Sequence, residues 1–237
     1  MPTRREVIAF GASATMTALT GGPGASAATG PARLETRLFN FKDEVSPERA
    51  AALVAKFRES AKAAGLDGFL LGRNRITAQY PTHLEWMTMF QVDDFAAKRN
   101  GPAYQGFVRA RDELASHFRN EARCDMDRIL PAGYGAAPNV KVRHVVMFSF
   151  KPESSAEARE RNVNAIREMG KLPMVLNYIV EPNAPSVSGP DQMEWQVIGD
   201  YASVADYTAY SEAPVHLAIR DDFTAHTSRV AFVDVEL

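Results

Sequence analysis

His144-Val-Val-Met-Phe-Ser-Phe-Lys-Pro-Glu153 stands 109 residues after Glu35-Thr-Arg-Leu-Phe-Asn-Phe-Lys-Asp-Glu44. The two stretches share Phe39/Phe148, Phe41/Phe150, Lys42/Lys151 and Glu44/Glu153, and the correspondence runs on without a gap to Trp86/Trp195. Further identical pairs are Arg58/Arg167, Asn74/Asn183, Pro81/Pro190 and Glu85/Glu194, and Asp125/Asp234 returns to the same spacing near the end of each half. Between these, Pro102 matches Pro214 at a spacing of 112, so the second copy gains three residues and then loses three. Self-similarity at one fixed offset predicts two copies of a single structural unit. The Pro/Gly/Ala-rich segment Pro131–Pro138 has the composition of a joining linker.

Each copy reads β-α-β-β-α-β. In the second, residues 141–151 alternate as a strand with Val142, His144, Val146, Phe148 and Phe150 on one face. Ser154 or Ser155 is placed to cap the next helix, with Glu157 in its first turn and Val163, Ile166 and Met169 at apolar helical spacing. Strands are predicted over 174–180 and 193–198, a helix from Val204 interrupted near Pro214, and a final strand over 229–236. The first copy follows with strand 34–41, helix 47–64, strands near 68–72 and 84–90, and a last strand near 121–128. This is an α+β arrangement: two tandem ferredoxin-like units, each a four-stranded antiparallel sheet with both helices on one face. Pairing the two bare sheet faces within one chain covers both. Trp86 and Trp195, each beside a glutamate, are expected to pack in their respective sheets.

The chain has 237 residues, 46% hydrophobic and 24% charged, with a net charge of −2, which places it among ordinary globular proteins. That balance gives no electrostatic reason to bind nucleic acid or an anionic membrane. One cysteine, Cys124, excludes an internal disulfide and any cysteine-cluster zinc site. His83, His117 and His226 show no metal-ligand spacing, and neither a Gly-rich phosphate loop nor a nucleophile-elbow sequence is present. No metal and no cofactor are therefore expected, and the expected partner is a small molecule.

The first residues read as an address. Thr3-Arg4-Arg5-Glu6-Val7-Ile8 resembles a bacterial twin-arginine signal, and a weakly apolar run then ends in the small-x-small sequence Ala25-Ser26-Ala27. The resulting plan is a signal peptide over 1–27, domains over 28–130 and 141–237, and a linker over 131–140, with the mature protein periplasmic or secreted. Removing residues 1–27 takes away two arginines and one glutamate and leaves the charge close to neutral.

The opening strand of the second copy, with its histidine ahead of Phe150-Lys-Pro-Glu153, and the later Tyr210-Ser-Glu-Ala-Pro-Val-His216 resemble the stress-responsive dimeric α/β-barrel (Dabb) family. The resemblance covers residues 141–237 well and 33–130 more weakly. It implies a barrel closed by two sheets, here an intramolecular pseudo-dimer. In a cofactor-free plant cyclase of that family, the matching histidine, tyrosine and last histidine line the active site. Those positions are His144, Tyr210 and His216 here, while Ala213 replaces a further histidine of the family segment. The first copy holds Glu35, Lys98 and Tyr104 instead, so the second half is the expected site and the first is expected mainly to close the barrel. The implied activity is cofactor-independent lyase, cyclase or isomerase chemistry on a small, largely apolar molecule. His216 would serve as general base, Tyr210 as donor to an enolate oxygen, and His144 as an orienting group. The alternative is a non-catalytic, structural or stress-associated barrel.

Overall fold

Two strands with the same alternation anchor the molecule: β1 (Arg33–Phe41) and β5 (Val142–Phe150). Leu34 and Leu38 of β1, and Val145 and Met147 of β5, point into one shared core. Phe39 and Phe41, and Phe148 and Phe150, point the opposite way into two separate cores. Period-2 alternation with both faces apolar means that both faces of each sheet are covered. The computed structural model describes residues 33–77, 83–92, 98–127, 139–185 and 188–237. The expected signal peptide and most of the expected linker lie outside the described residues.

Around β1 the chain adds α1 (Pro47–Ala63), β2 (Asp67–Arg73), β3 (Trp86–Val92), α2 (Pro102–Ala115) and β4 (Phe118–Met126). Around β5 it adds α3 (Ala156–Met169), β6 (Asn177–Pro182), β7 (Trp195–Tyr201), α4 (Val204–Ser211), α5 (Pro214–His226) and β8 (Thr227–Glu236). The antiparallel sheets have the strand orders β2-β3-β1-β4 and β6-β7-β5-β8, the same topology twice. The fold is thus α+β, two ferredoxin-like units paired sheet to sheet, as the repeat predicts.

Local chemistry repeats with the topology. Ser46 caps α1 by accepting from the Arg49 amide (3.2 Å), and Ser155 caps α3 by accepting from the Ala158 amide (3.2 Å). Each cap satisfies one otherwise unpaired helix N–H. Phe39 stacks on Trp86 with ring centroids 6.5 Å apart, and Phe148 on Trp195 at 6.4 Å, so both tryptophans pack in their sheets as expected.

The loops between the second and third strands of each half cross to the other half. The Leu84 amide donates to the Phe232 carbonyl (3.0 Å), and the Met193 amide donates to the Arg123 carbonyl (2.8 Å). Asn74 and Asn183 open these loops equivalently, their amides donating to the Glu85 and Glu194 carbonyls at 2.7 and 2.8 Å. Here the sequence expectation shifts: β7 begins at Trp195 rather than at 193, because the Met193 amide is committed across the interface. Likewise β6 begins at Asn177 rather than at 174. The preceding residues form turns in which the Leu172 and Val175 amides donate back to Met169 and Leu172.

Candidate functional site

Register places the first candidate. Antiparallel pairing of β5 with β8 sets His144 directly opposite Asp234. Their side chains emerge on the helix-covered face, and His144 Nδ1 lies 2.5 Å from Asp234 Oδ1. Asp234 is fully buried. Burial pushes its pKa up, but His144 and hydrogen bonds from His144, Thr77 and Tyr207 outweigh that and hold it below the usual carboxylate value.

A helix break places the other two. Ser203 caps α4 through the Asp206 amide (3.1 Å), and α4 ends where Pro214 opens α5. On one continuous helix, residues six apart would be rotated by roughly 240° and face away from one another. The break instead brings the Tyr210 and His216 rings to a centroid distance of 4.9 Å. Tyr210 and His144 are 6.1 Å apart by the same measure. Ala213, where the family segment has a histidine, is the buried N-cap residue of α5 and supplies no side-chain cap bond.

All three expected residues therefore converge on one cavity of about 660 Å³. Its walls are largely apolar, with Val146, Phe148, Ile166, Met169, Ile219 and Phe223 among them, and the exposed Thr208, Glu212 and Arg220 stand at its rim. Burial lowers the pKa of His216, and the neighbouring His144 adds to that, while the Ser211 carbonyl opposes it. Its Nδ1 is buried and makes no hydrogen bond of good geometry. His216 is accordingly a neutral imidazole at neutral pH. Burial pushes Tyr210 up to about 12, so it keeps its proton. The Tyr178 hydroxyl lies 2.8 Å from that of Tyr210, and when Tyr178 donates, the Tyr210 proton is available to the cavity.

Several site residues were not selected from the sequence. Asp234 had a visible signal, since Asp125/Asp234 keeps the repeat spacing, but nothing local says that it faces His144. Tyr178 and Tyr207 carry no motif. Thr77 and His83 come from the first half: the Thr77 hydroxyl donates to Asp234 Oδ2, and His83 Nδ1 lies 2.6 Å from Thr77 Oγ1. The first half thus does more than close the barrel. Among the described residues, no group of three or more His, Cys, Asp or Glu side chains is placed to hold a metal ion.

The matching place in the first half is built differently. Glu35 lies opposite Asp125 in the register, two buried carboxylates where the second half has a histidine and an aspartate. Arg123 bridges them, at 2.5 Å from Asp125 and 3.7 Å from Glu35, and Arg111 approaches Glu35 at 3.4 Å. The Tyr104 hydroxyl adds a 3.5 Å contact to Glu35. Burial and the Asp125 charge raise the pKa of Glu35, against the pull of these arginines.

Residues 142–237 match the family described as the stress responsive A/B barrel domain. No curated protein matches the chain. Among solved structures, an anthrone oxidase-like protein is similar over 88% of this chain and 92% of its own, at 12% identity and a TM-score of 0.56. A putative monooxygenase from Fusobacterium nucleatum subsp. nucleatum is similar over 88% and 93%, at 11% identity and a TM-score of 0.52. Both likenesses span the two halves and concern the fold. A Dabb family protein with a ferredoxin-like fold from Mesorhizobium loti aligns with 41% of this chain and 97% of its own, at 22% identity and a TM-score of 0.35.

Proposed function

We propose that this is an exported stress-response barrel protein that binds a small, largely apolar carbonyl compound in the second half and moves a proton on it without a cofactor. The convergence of His144, Tyr210 and His216 on one apolar-walled cavity carries this reading. His216, neutral and partly buried, takes a proton from a carbon next to the carbonyl. The electron pair moves onto the carbonyl oxygen, and Tyr210, protonated and backed by Tyr178, donates a hydrogen bond to it. His144, held at Nδ1 by Asp234, orients the bound compound through the rest of its ring. Returning the proton elsewhere gives isomerisation; attack of the enolate carbon on a second carbonyl gives cyclisation; expulsion of a leaving group gives elimination. Export rests on the arginine pair Arg4-Arg5 and the Ala25-Ser26-Ala27 sequence. Cell fractionation of wild type and an Arg4→Lys/Arg5→Lys variant tests it, the variant being retained in the cytoplasm.

Proton abstraction is read directly as deuterium uptake from D2O next to the carbonyl of a panel of small aryl and alkyl ketones, followed by proton NMR. Wild type is expected to accelerate uptake for at least one compound, with His216→Ala slower by about 100-fold or more. Equal uptake by both proteins would remove the catalytic role. A ligand retained in native mass spectrometry without any accelerated uptake would favour the non-catalytic barrel.

A further inference from the structure

We infer that the second half's site is completed by the first: Thr77 and His83, on the loop between β2 and β3, are positioning residues for Asp234 and, through it, His144. This gives the site of the proposed function a second tier, and it rests on that reading only for its purpose.

The hydrogen-bond count leads there. Asp234 Oδ1 is taken by His144 Nδ1 at 2.5 Å, and Oδ2 accepts from the Thr77 hydroxyl. A carboxylate engaged at both oxygens by groups from two directions has no freedom to rotate. Tyr207, from α4, also faces it, and His83 Nδ1 stands 3.7 Å from Oδ2. A threonine hydroxyl has one proton, and an ionised carboxylate accepts only. Thr77 therefore donates to Asp234, the nearer and charged acceptor, rather than to Asn74 Oδ1 at 3.3 Å; its oxygen then accepts from Asn74 Nδ2 (3.2 Å) and from His83 Nδ1 at 2.6 Å. The chain of bonds runs His83 Nδ1–H to Thr77 Oγ1, Thr77 O–H to Asp234, and Asp234 to His144. It assigns His83 the Nδ1–H tautomer, the minor form of a free neutral histidine.

The loop is fastened for this task. Asn74 Oδ1 accepts from the Thr77 amide (3.0 Å) while its Nδ2 donates to the Leu84 carbonyl (3.2 Å), tying the two ends of the loop. The His83 ring meets Phe232 of β8 edge-on, with centroids 3.6 Å apart. His83, Thr77 and His144 all line the same cavity. At the position matching His83, the other crossing loop carries Gln192, beside Arg123 rather than a histidine–aspartate pair. Among the described residues, this chain of bonds is found behind Asp234 alone.

The test is long-range proton–nitrogen correlation NMR of the full chain, labelled with nitrogen-15, at neutral pH. In wild type His83 is expected to be protonated at Nδ1. Thr77→Val, near in shape but without the hydroxyl, is expected to shift His83 measurably toward the Nε2–H form. The same variant should speed exchange of the His144 Nδ1 proton about tenfold, as for one lost hydrogen bond. Thr77→Ser is expected to restore both signatures. An Nε2–H tautomer in wild type overturns the inference, as does unchanged His144 exchange in folded Thr77→Val. If Thr77→Val does not fold, the wild-type tautomer and Thr77→Ser decide. Absence of deuterium uptake with every ketone would remove the catalytic reading while leaving these signatures in place, so the two failures are distinguishable.

Discussion

Glu35 and His144 hold the same place on the same strand of two halves with one topology, and each looks across the sheet at a buried aspartate. In the first half the pair is two carboxylates. Such a pair buried together requires cations, and Arg111 and Arg123 approach the two carboxylates. In the second half a histidine bonds to the aspartate directly, a neutral threonine takes the remaining oxygen, and a cavity of about 660 Å³ remains. The first half thus sets arginines against its carboxylate pair, where the second half uses a histidine and a threonine. The sheet-to-sheet face reverses the asymmetry: the second half pairs Arg143 with Asp200 where the first pairs Leu34 with Gln91. Each half thus buries an arginine–carboxylate pair on the face where the other has none at the matching positions.

Exchanging residues between the halves tests this comparison, and the barrel face should respond most. Arg143 is almost wholly buried and held by Asp200 at 2.7 and 3.0 Å. Asp200→Ala removes the carboxylate from that buried guanidinium and should cost roughly 3–5 kcal/mol in urea unfolding. Arg143→Leu with Asp200→Gln, the residues of the first half, should recover most of the loss. If Asp200→Ala is as stable as wild type, the ion pair has no structural role.

Next comes a pH effect. Burial holds His83 near pKa 4 in the folded protein, against 6.5 for a free histidine. Between those values the unfolded chain binds the proton and the folded one does not, so stability falls as pH falls through this window, by roughly 2–3 kcal/mol. The contribution is fully restored above the unfolded value. His83→Gln, which installs the counterpart Gln192 residue, should reduce the slope between pH 6.5 and 4, leaving the part that His216 contributes in the same direction; an unchanged slope would assign the dependence to other groups. Asp234, shifted below its usual value, acts only at more acid pH.

A smaller cost is expected where Gly72 of one sheet faces Val235 of the other. A Cβ on Gly72 would overlap Cγ1 of the buried, stiff side chain Val235. Gly72→Ala should lower stability by about 1–3 kcal/mol, while Gly106→Ala, with only an arginine tip nearby, should not. The least effect is the most symmetric. Ser46→Ala and Ser155→Ala each remove one helix cap and should each cost about 1 kcal/mol; a large difference between them would show that the matching helices are not equally supported.

Much of the architecture is legible in residue order. The 109-residue spacing records a duplication, while the alternation through Phe148 and Phe150, the serine caps and the break at Pro214 express interactions between near neighbours. Residue identity is enough to read them, and the matching segment 142–237 carries His144, Tyr210 and His216 in recognisable surroundings. The partners of those residues are another matter. Asp234 lies 90 residues from His144, and Thr77 lies 157 residues from Asp234. Strand register made the first contact and the crossing of a loop between halves made the second. Neither leaves a local pattern, because a hydrogen bond across a sheet or between domains depends on where the folded backbone brings two side chains. Sequence alone determined that there would be two like units and which one carries a histidine. Tertiary structure decided that the other half reaches across to hold the aspartate behind it.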